Sequence, residues 1–481
     1  MTPDSGNTVA VVGAGPAGLA AALAAADLGA AVTLIDAAPT PGGQIYRQSL
    51  VNDEHNERLP PRLHRALRHE RMRYRPATSV WHAERAPDAA QDARDGEFVL
   101  RLAGLDGGPA RDDDAPLQAG VVRAGAVIVA AGATELVLPF PGWDLPGVTT
   151  VGAAQALLKS QGVAVGRRVI VAGSGPLLLP AAAGLAAAGV RVVAVLEATA
   201  ALPGARAAAR LAAYPGKLAE AAGYAATLAR HRVPVRPGHA VVACAGAGRV
   251  RRATIARLDR DWRPVPGSHR ETEVDALHVS FGFSPALELT RLLGCADEPH
   301  PARPTAAVRH DGDQATSVPG VFAAGEVTGV GGADVAELEG YLAGAAAARH
   351  LGLPVPPARA AGLAAIRARL DRARGFATRL DAAYPLRPGW LNWPGPDTIV
   401  CRCEDVPWRE IGRAVAAGAG DIRAVRGLTR CGMGYCQARI CGAAVQYAIS
   451  HASGRPLPGV GDLHTRPILT PTSLDVIAND G

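Results

Sequence analysis

Aromatic residues make up only 4% of the 481 residues, and no uninterrupted apolar run reaches the roughly 18–20 residues that a membrane-spanning helix needs. We therefore expect no transmembrane span. The densest basic stretch, Arg62 to Arg75, is not accompanied by interleaved aromatic residues on which bases could stack. It predicts a solvated helix, and we expect no nucleic-acid binding despite the net charge of +6.

The N-terminus lacks the basic segment of a secretory leader. Asp4 stands where basic residues would be needed, and the apolar stretch that follows is interrupted by glycines. The clustered cysteines are of the kind that stays reduced, which argues for a reducing compartment. These features favour a cytoplasmic protein, with at most peripheral attachment to a membrane.

The length of 481 residues is too great for one hydrophobic core, so we expect two to four domains. Hydrophobic residues account for 48% of the chain, and there are 56 glycines. Small residues allow helices to pack closely on sheets. The composition therefore favours an α/β fold.

The N-terminal region has the pattern of a βαβ unit, which we call the first unit. We predict a buried strand over Val9 to Val12, a helix from Pro16 to Leu28 and a second strand over Ala31 to Ile35. Asp36 follows the second strand at about the 20-residue offset from Gly13 that is typical of dinucleotide sites.

The glycines of this unit have different tasks. Gly13 permits the tight turn, Gly15 lets backbone N–H groups approach a pyrophosphate, and Gly18 allows close packing of helix and strand. The helix N-terminus attracts phosphates, and a carboxylate after the second strand can bind ribose hydroxyls. The predicted dinucleotide site comprises Gly13, Gly15, Pro16, Ala17, Gly18 and Asp36.

A second βαβ unit begins with a predicted strand over Arg168 to Ala172 and ends with another over Val190 to Leu196. Its turn and helix start at Gly173, but Leu178 stands where a small residue is expected. A functional NAD(P)H site, a structural adenine nucleotide and an empty scaffold therefore remain open. Glu197, after the last strand, would favour NADH over NADPH.

Two more segments read as strands that end in glycine, Val127 to Ala133 and Gly320 to Glu326. The second ends in a carboxylate, where ligands bind in open α/β sheets. Further along, Ala358 to Ala377 is predicted to be helical, and Pro385 to Pro396 is predicted to be a linker.

The last part of the chain holds five of the seven cysteines: Cys401, Cys403, Cys431, Cys436 and Cys441. A [2Fe-2S] cluster needs four thiolates, and this gathering favours such a cluster. Structural zinc and a disulfide arrangement are the alternatives. The isolated Cys244 and Cys295 are predicted to pack as small hydrophobic residues.

Residues 8–352 resemble the flavoproteins with two dinucleotide-binding domains, the class of glutathione and thioredoxin reductases. The resemblance rests on both glycine turns and on the segments Ala130–Ala133 and Ala323–Glu326. It implies FAD in the first unit, with the glycine–acid tip at its ribityl and phosphate part. The second unit has no CxxC motif, so the dithiol–disulfide chemistry of those reductases is excluded.

The chain is also similar, nearly end to end, to the A (α) subunits of multisubunit amine dehydrogenases, which include opine oxidases, hydrogen cyanide synthase and the hydroxyproline and dye-linked proline dehydrogenases. The motifs are Gly42–Arg47, Gly173–Leu179 and the Cys401–Cys441 pattern. The C-terminal part resembles a bacterioferritin-associated-ferredoxin-like [2Fe-2S] domain. The implied further FAD contacts are Gly43, Gln44, Arg47, Ala131, Gly132, Gly325 and Glu326.

The same resemblance implies a ligand set for the cluster. The ligands would be Cys401, Cys403, Cys436 and Cys441. Cys431 would then be a buried bystander or a spare ligand. Arg402, Arg430 and Arg439 adjoin these cysteines and are expected to stabilise the reduced cluster.

The implied function is an electron-transfer subunit of a dehydrogenase that oxidises an amine, an opine or a cyclic amino acid. The implied partners are an amine-oxidising flavoprotein β subunit similar to D-amino-acid oxidases, with room for a small third subunit, and an electron acceptor such as a quinone. A second nucleotide or an FMN at a subunit interface stays open, and no catalytic residue is identified. The alternatives are a stand-alone NAD(P)H-dependent FAD/[2Fe-2S] reductase and a non-enzymatic redox sensor.

The expected domain organisation follows from these segments. We predict a first part of the FAD domain at 1–150, an NAD(P)-like domain at 151–285, a second part of the FAD domain at 286–355, a helix and linker at 356–395, a [2Fe-2S] domain at 396–456 and a tail at 457–481.

Overall fold

The computed structural model describes residues 7–51, 58–86, 97–104, 120–200, 214–300, 303–461, 463 and 468–478. The elements up to residue 150 are β1 (Thr8–Val12), α1 (Pro16–Asp27), β2 (Ala31–Ile35), α2 (Pro61–Leu67), β3 (Met72–Arg75), β4 (Thr78–Arg85), β5 (Phe98–Gly104), β6 (Gly120–Ala124), β7 (Ala126–Val129), β8 (Ala133–Glu135) and β9 (Val148–Thr150).

The middle of the chain forms α3 (Val151–Gln161), β10 (Arg168–Gly173), α4 (Leu178–Ala187), β11 (Arg191–Glu197), α5 (Pro215–Arg230), β12 (Val235–Pro237), β13 (His239–Ala245), β14 (Arg252–Arg257), β15 (Arg270–Glu273), β16 (Ala276–Ser280), β17 (Phe283–Pro285), α6 (Glu288–Leu292), β18 (Asp297–Pro299) and β19 (Ala306–Val308).

The remainder forms β20 (Val321–Ala323), a 3-10 turn (Glu326–Thr328), α7 (Ala333–His350), α8 (Pro357–Ala383), a 3-10 helix (Pro388–Asn392), β21 (Ile399–Cys401), β22 (Val406–Pro407), α9 (Trp408–Ala416), α10 (Ile422–Thr429), α11 (Gly442–Ser453), a 3-10 helix (Leu457–Val460) and α12 (Leu474–Ala478).

The first unit is built on a parallel five-stranded sheet with the order β20-β7-β1-β2-β3. Its strands are short and apolar, and β1 is almost fully buried, as expected for a parallel sheet covered on both faces. The strand β20 comes from far along the chain and pairs with β7. Two separate stretches of sequence therefore complete this sheet.

Helices α1 and α7 pack against one another at very short range. A side chain at Gly340 would lie 2.1 Å from the Ala17 oxygen, and one at Gly344 would lie 2.2 Å from the Ala21 oxygen. Only glycine fits at both positions. The close approach of this helix pair thus requires small residues. It also places α7 over the glycine turn.

The second unit has its own parallel sheet with the order β12-β11-β10-β16-β9. The antiparallel pair β8–β17 lies where the chain passes between the two units, once in each direction. The α/β class with two dinucleotide-type units is therefore confirmed. Among the described residues, none of the helices combines the length and apolarity needed to span a bilayer.

Helix α8 ties the C-terminal part to the first unit. It has 27 residues and extends beyond the predicted end at Ala377. Arg359 near its start pairs with Asp27 at 3.0 Å, and Arg374 pairs with Glu339 of α7 at 2.8 Å. Helix α8 therefore packs along the first unit and is fixed to it by ion pairs near its start and in its second half.

The segment predicted as a linker, Pro385 to Pro396, is instead packed into the second unit. Trp390 is fully buried, and Trp393 stacks on Trp262 with ring centroids 6.3 Å apart. The Trp393 indole N–H also donates to the Trp262 oxygen at 3.0 Å. The linker prediction was wrong because these two tryptophans bury a large apolar area.

The basic stretch Arg62–Arg75 is also different from the prediction of one solvated helix. Helix α2 ends at Leu67, and β3 then pairs in parallel with β2, with Tyr74 opposite Leu34. Extension of the sheet at its edge outweighs the local helical tendency of these residues.

Candidate functional site: a dinucleotide turn and a cysteine centre

The glycine turn of the first unit leaves no room for side chains. Gly13 has φ +107°, and a side chain there would lie 2.2 Å from the Ala130 oxygen. A side chain at Gly18 would lie 1.7 Å from the Gly13 oxygen. Helix α1 starts at Pro16 with Gly15 as its N-cap. The N-terminal N–H groups of α1 therefore face the open end of the sheet, as phosphate binding requires.

Asp36 lies directly after β2 at the same edge of the sheet. Its Oδ2 accepts the N–H of Ala14 at 2.5 Å, and its Oδ1 accepts the N–H of Ala38 at 2.7 Å. Burial raises the pKa of Asp36, while the two backbone hydrogen bonds lower it. The carboxylate is held rigidly beside the turn, where it can meet a ribose.

The loop Gly42–Arg47 closes over the turn. The Gly42 N–H donates to the Ala14 oxygen at 2.8 Å, and a side chain at Gly43 would come within 3.0 Å of the Gly15 Cα. Gln44 is exposed at the tip. The Arg47 Nε is buried, and among the described residues it has no hydrogen-bond partner. An unsatisfied donor on a cation fits the anionic part of a dinucleotide.

The glycine–acid tip lies beside this loop at the end of β20. Gly325 has φ +82°, and the Glu326 Oε1 accepts the Gly332 N–H at 2.8 Å. Burial raises the pKa of the Glu326 carboxyl. Ala131 and Gly132 follow β7, the neighbouring strand, and the Gly132 oxygen accepts the Ala286 N–H at 3.0 Å. Together these segments place the predicted tip residues along one sheet edge.

The sequence did not point to the group that holds this tip, Glu339 of α7. Its side chain is 1% exposed, and its Oε2 accepts the Gly325 N–H at 2.8 Å and the Thr328 hydroxyl at 2.7 Å. Arg374 from α8 neutralises it through Oε1 at 2.8 Å. The signal in the sequence was an acid inside an alanine- and glycine-rich helix, but Asp334 and Glu337 lie on the same helix and made it ambiguous.

The second unit departs from the first at the turn. Helix α4 begins only at Leu178, which is 1% exposed, whereas α1 begins three residues after its first glycine. Glu197 accepts the Gly175 N–H at 2.9 Å and the Thr199 N–H at 2.8 Å. Helix α4 thus begins five residues after Gly173, and its first helical residue is the buried Leu178, where the first unit has Gly18.

The five clustered cysteines fall into two groups. The sulfur atoms of Cys401, Cys431 and Cys441 lie within 4.8 Å of one another. Hydrogen bonds from the Cys431 thiol and, to a smaller extent, the Cys441 thiol lower the pKa of Cys401. Burial raises the pKa of Cys436, and the neighbouring Cys403 raises it further. The donor set therefore offers five soft thiols, of which a [2Fe-2S] cluster needs four.

Cys431 and Cys441 differ in their position on helices. Cys441 is the N-cap of α11, where the helix dipole favours a thiolate. Cys431 follows the C-terminal cap of α10, where the dipole disfavours an anion. The helix dipoles thus favour Cys441 as a ligand, although both sulfurs lie in the same group and the Cys401 thiol and burial raise the pKa of each.

The three arginines beside the cysteines are all engaged. Arg430 pairs with Glu404 at 2.9 Å, and Arg439 pairs with Glu288 of α6 at 2.8 Å. The Arg402 guanidinium lies 4.3 Å from the centre of the Trp143 ring and donates to the Trp143 oxygen. The charges of Arg430 and Arg439 are therefore balanced by carboxylates, and the stabilisation of a reduced cluster by the three arginines stays a prediction.

Comparison with known proteins agrees with this geometry. The sequence matches the pyridine nucleotide-disulphide oxidoreductase family over residues 7–349 and the BFD-like [2Fe-2S] binding domain over residues 399–451. The A subunit of opine oxidase from Agrobacterium tumefaciens (strain Ach5) is 33% identical, over 98% of this chain and 91% of that protein.

Two further similarities extend over nearly the whole chain. Hydrogen cyanide synthase subunit HcnB from Pseudomonas aeruginosa is 30% identical, over 98% of each chain. The crystal structure of L-proline dehydrogenase from P. horikoshii has a TM-score of 0.68 at 19% identity. The match covers 98% of this chain and 79% of the proline dehydrogenase chain. That structure supports the fold.

The residues present fit the groups that these families carry. The side-chain-free turn and the unsatisfied Nε of Arg47 suit FAD in the first unit, and the thiol set suits a [2Fe-2S] cluster in the C-terminal domain. The predicted resemblance, the FAD and the cluster are thereby confirmed. The chain belongs to the pyridine nucleotide-disulphide oxidoreductase family, as an FAD-dependent oxidoreductase with a BFD-like [2Fe-2S] domain that is related along its length to the A subunit of opine oxidase.

Proposed function

We propose that this chain is the electron-transfer subunit of a heteromeric amine dehydrogenase. A separate flavoprotein subunit oxidises an amine, an opine or a cyclic amino acid, and this chain receives the electrons and delivers them to an acceptor such as a quinone. The relatives named as subunits of opine oxidase and hydrogen cyanide synthase support this assignment. Flavins and iron–sulfur clusters supply the electron transfer, while the protein binds, orients and tunes them.

The observation that carries the proposal is the contrast between the two units. Helix α1 of the first unit begins three residues after Gly13, while helix α4 of the second unit begins only at Leu178, five residues after Gly173. A nicotinamide donor would need the second turn. Electrons therefore enter from a protein partner, which argues against the stand-alone NAD(P)H-dependent reductase.

The proposal is tested by purifying this chain anaerobically, alone and in complex with an amine-oxidising subunit. With N-alkylated amino acids, proline or glycine as donors, only the complex is expected to show bleaching of this chain's flavin band and an electron paramagnetic resonance (EPR) signal from its cluster. Oxidation of any of these amines by the chain alone would show that the substrate site is within it.

A further inference from the structure

Several exposed aliphatic side chains lie near the glycine turn of the first unit. We define the loop–α3 face as Ile45, Leu50, Val51, Arg58, Lys159 and Val163. Its four aliphatic members are between 43% and 67% exposed. Single exposed hydrophobic residues are ordinary on protein surfaces, but a contiguous group marks an interaction site.

The two segments of this face are fixed to one another. The Leu50 N–H donates to the Ser160 oxygen at 2.6 Å, and Lys159 Nζ donates to the Ile45 oxygen at 3.3 Å. Arg58 Nη1 donates to the Arg47 oxygen at 3.1 Å. Helix α3 ends at Gly162 with φ +66°, which turns Val163 to the surface. The loop of the first unit and helix α3 therefore form one surface, held together by these hydrogen bonds.

Positive charge surrounds the aliphatic centre. Burial lowers the pKa of Lys159, and the nearby Arg58 and Arg47 lower it further. Within the described part of the chain, no carboxylate forms an ion pair with Lys159 or Arg58. Two neighbouring cations without such a pair, Lys159 and Arg58, are suited to acidic groups on another molecule.

The face also lies next to the predicted flavin contacts. Ile45 directly follows Gly43 and Gln44, and Gly43 packs on Gly15 at the dinucleotide turn. A protein that covers this face would approach the first unit closely, which suits a donor that passes electrons to it.

We infer that the loop–α3 face docks the amine-oxidising partner subunit, which meets it with an apolar centre and a rim of carboxylates. This inference rests on the proposed function, and it adds the place and the chemistry of the contact. Apolar burial supplies the affinity, while the cations steer the acidic rim and set the orientation.

The test measures the dissociation constant of the complex between the holo form of this chain and the partner subunit. Val51→Lys places a like charge in the apolar centre and is expected to weaken binding by about tenfold or more, as for a residue at the middle of an interface. Arg58→Glu is expected to weaken binding and to reduce its dependence on salt. The matched control is Leu474→Lys, because Leu474 is 80% exposed but lies on α12.

The outcomes separate this inference from the proposed function. The inference is supported if Val51→Lys binds the partner more weakly while Leu474→Lys does not. The flavin absorbance and the cluster EPR signal must be unchanged in the variants. If Val51→Lys and Leu474→Lys bind the partner with equal affinity, the inference is overturned. This holds also where Val51→Lys loses self-association or binding to anionic vesicles, since the face would then have another occupant. If the unaltered chain binds no amine-oxidising subunit, the proposed function itself fails, and the inference fails with it.

Discussion

The Cys436→Ser variant is expected to fold without the [2Fe-2S] cluster, whereas Cys431→Ser is expected to keep it. We propose Cys401, Cys403, Cys436 and Cys441 as the four ligands. Cys436 neighbours Cys403 and is not one of the three buried sulfurs that lie within 4.8 Å of one another. Without the Cys436 sulfur, Cys403 would have no neighbouring thiol, because the sulfurs of Cys401, Cys431 and Cys441 form the other group.

The fourth ligand is decided between two sulfurs that lie only 3.9 Å apart, those of Cys431 and Cys441. Cluster binding requires a thiolate. The start of α11 favours that charge at Cys441, and the end of α10 disfavours it at Cys431. Cys441→Ser is therefore expected to lose the cluster together with Cys436→Ser.

The measurement is iron and acid-labile sulfide per chain, with the EPR spectrum after reduction by dithionite. Cys244→Ser is the control, since Cys244 is buried in β13 of the second unit, remote in sequence from the other thiols. Loss of iron in Cys431→Ser with retention in Cys441→Ser would reverse the choice of ligand. Retention of the full cluster in Cys436→Ser would refute the assignment of that residue.

Gly18→Ala is expected to yield protein that lacks FAD. The added methyl group would lie 1.7 Å from the Gly13 oxygen, a backbone atom of the turn itself. Either the helix must move away from the strand or the turn must open, and both displace the N–H groups that bind the pyrophosphate. Overpacking of this kind costs typically about 1–3 kcal/mol of folding stability.

The flavin content of purified protein and its thermal unfolding midpoint measure this effect. Gly184→Ala is the matched control, because Gly184 lies inside α4 and no atom beyond its own helix is within 4 Å of the added carbon. It is expected to keep FAD and to gain up to about 1 kcal/mol from helix propensity. A Gly18→Ala protein with one FAD per chain and an unchanged midpoint would contradict the tight-turn account.

The first unit was predicted from the sequence almost to the residue. The strand Ala31–Ile35 has its expected bounds, and α1 ends at Asp27, one residue before the expected Leu28. Local chemistry determines both, since buried β-branched residues form the strand and glycines set the turn and the helix end. Parallel pairing of β3 and burial of Trp390 depend on partners distant in sequence, so local patterns missed them.

The site divides in the same way. The glycine turn with Asp36 and the cysteine gathering are short motifs and could be found by spacing. Glu339 and its partner Arg374 hold the tip from two different helices, and only the packing of α7 and α8 brings them to Gly325. The departure of the second unit from the first was signalled by Leu178, but the late start of α4 needed the structure.

Anaerobic addition of NADH, and then of NADPH, to the purified holo chain tests the central claim most directly. The account predicts that the flavin absorbance does not change with either nucleotide, while dithionite bleaches the flavin and produces the EPR signal of the reduced cluster. Rapid bleaching of the flavin by NADH or NADPH would contradict the account and make the chain a nicotinamide-dependent reductase.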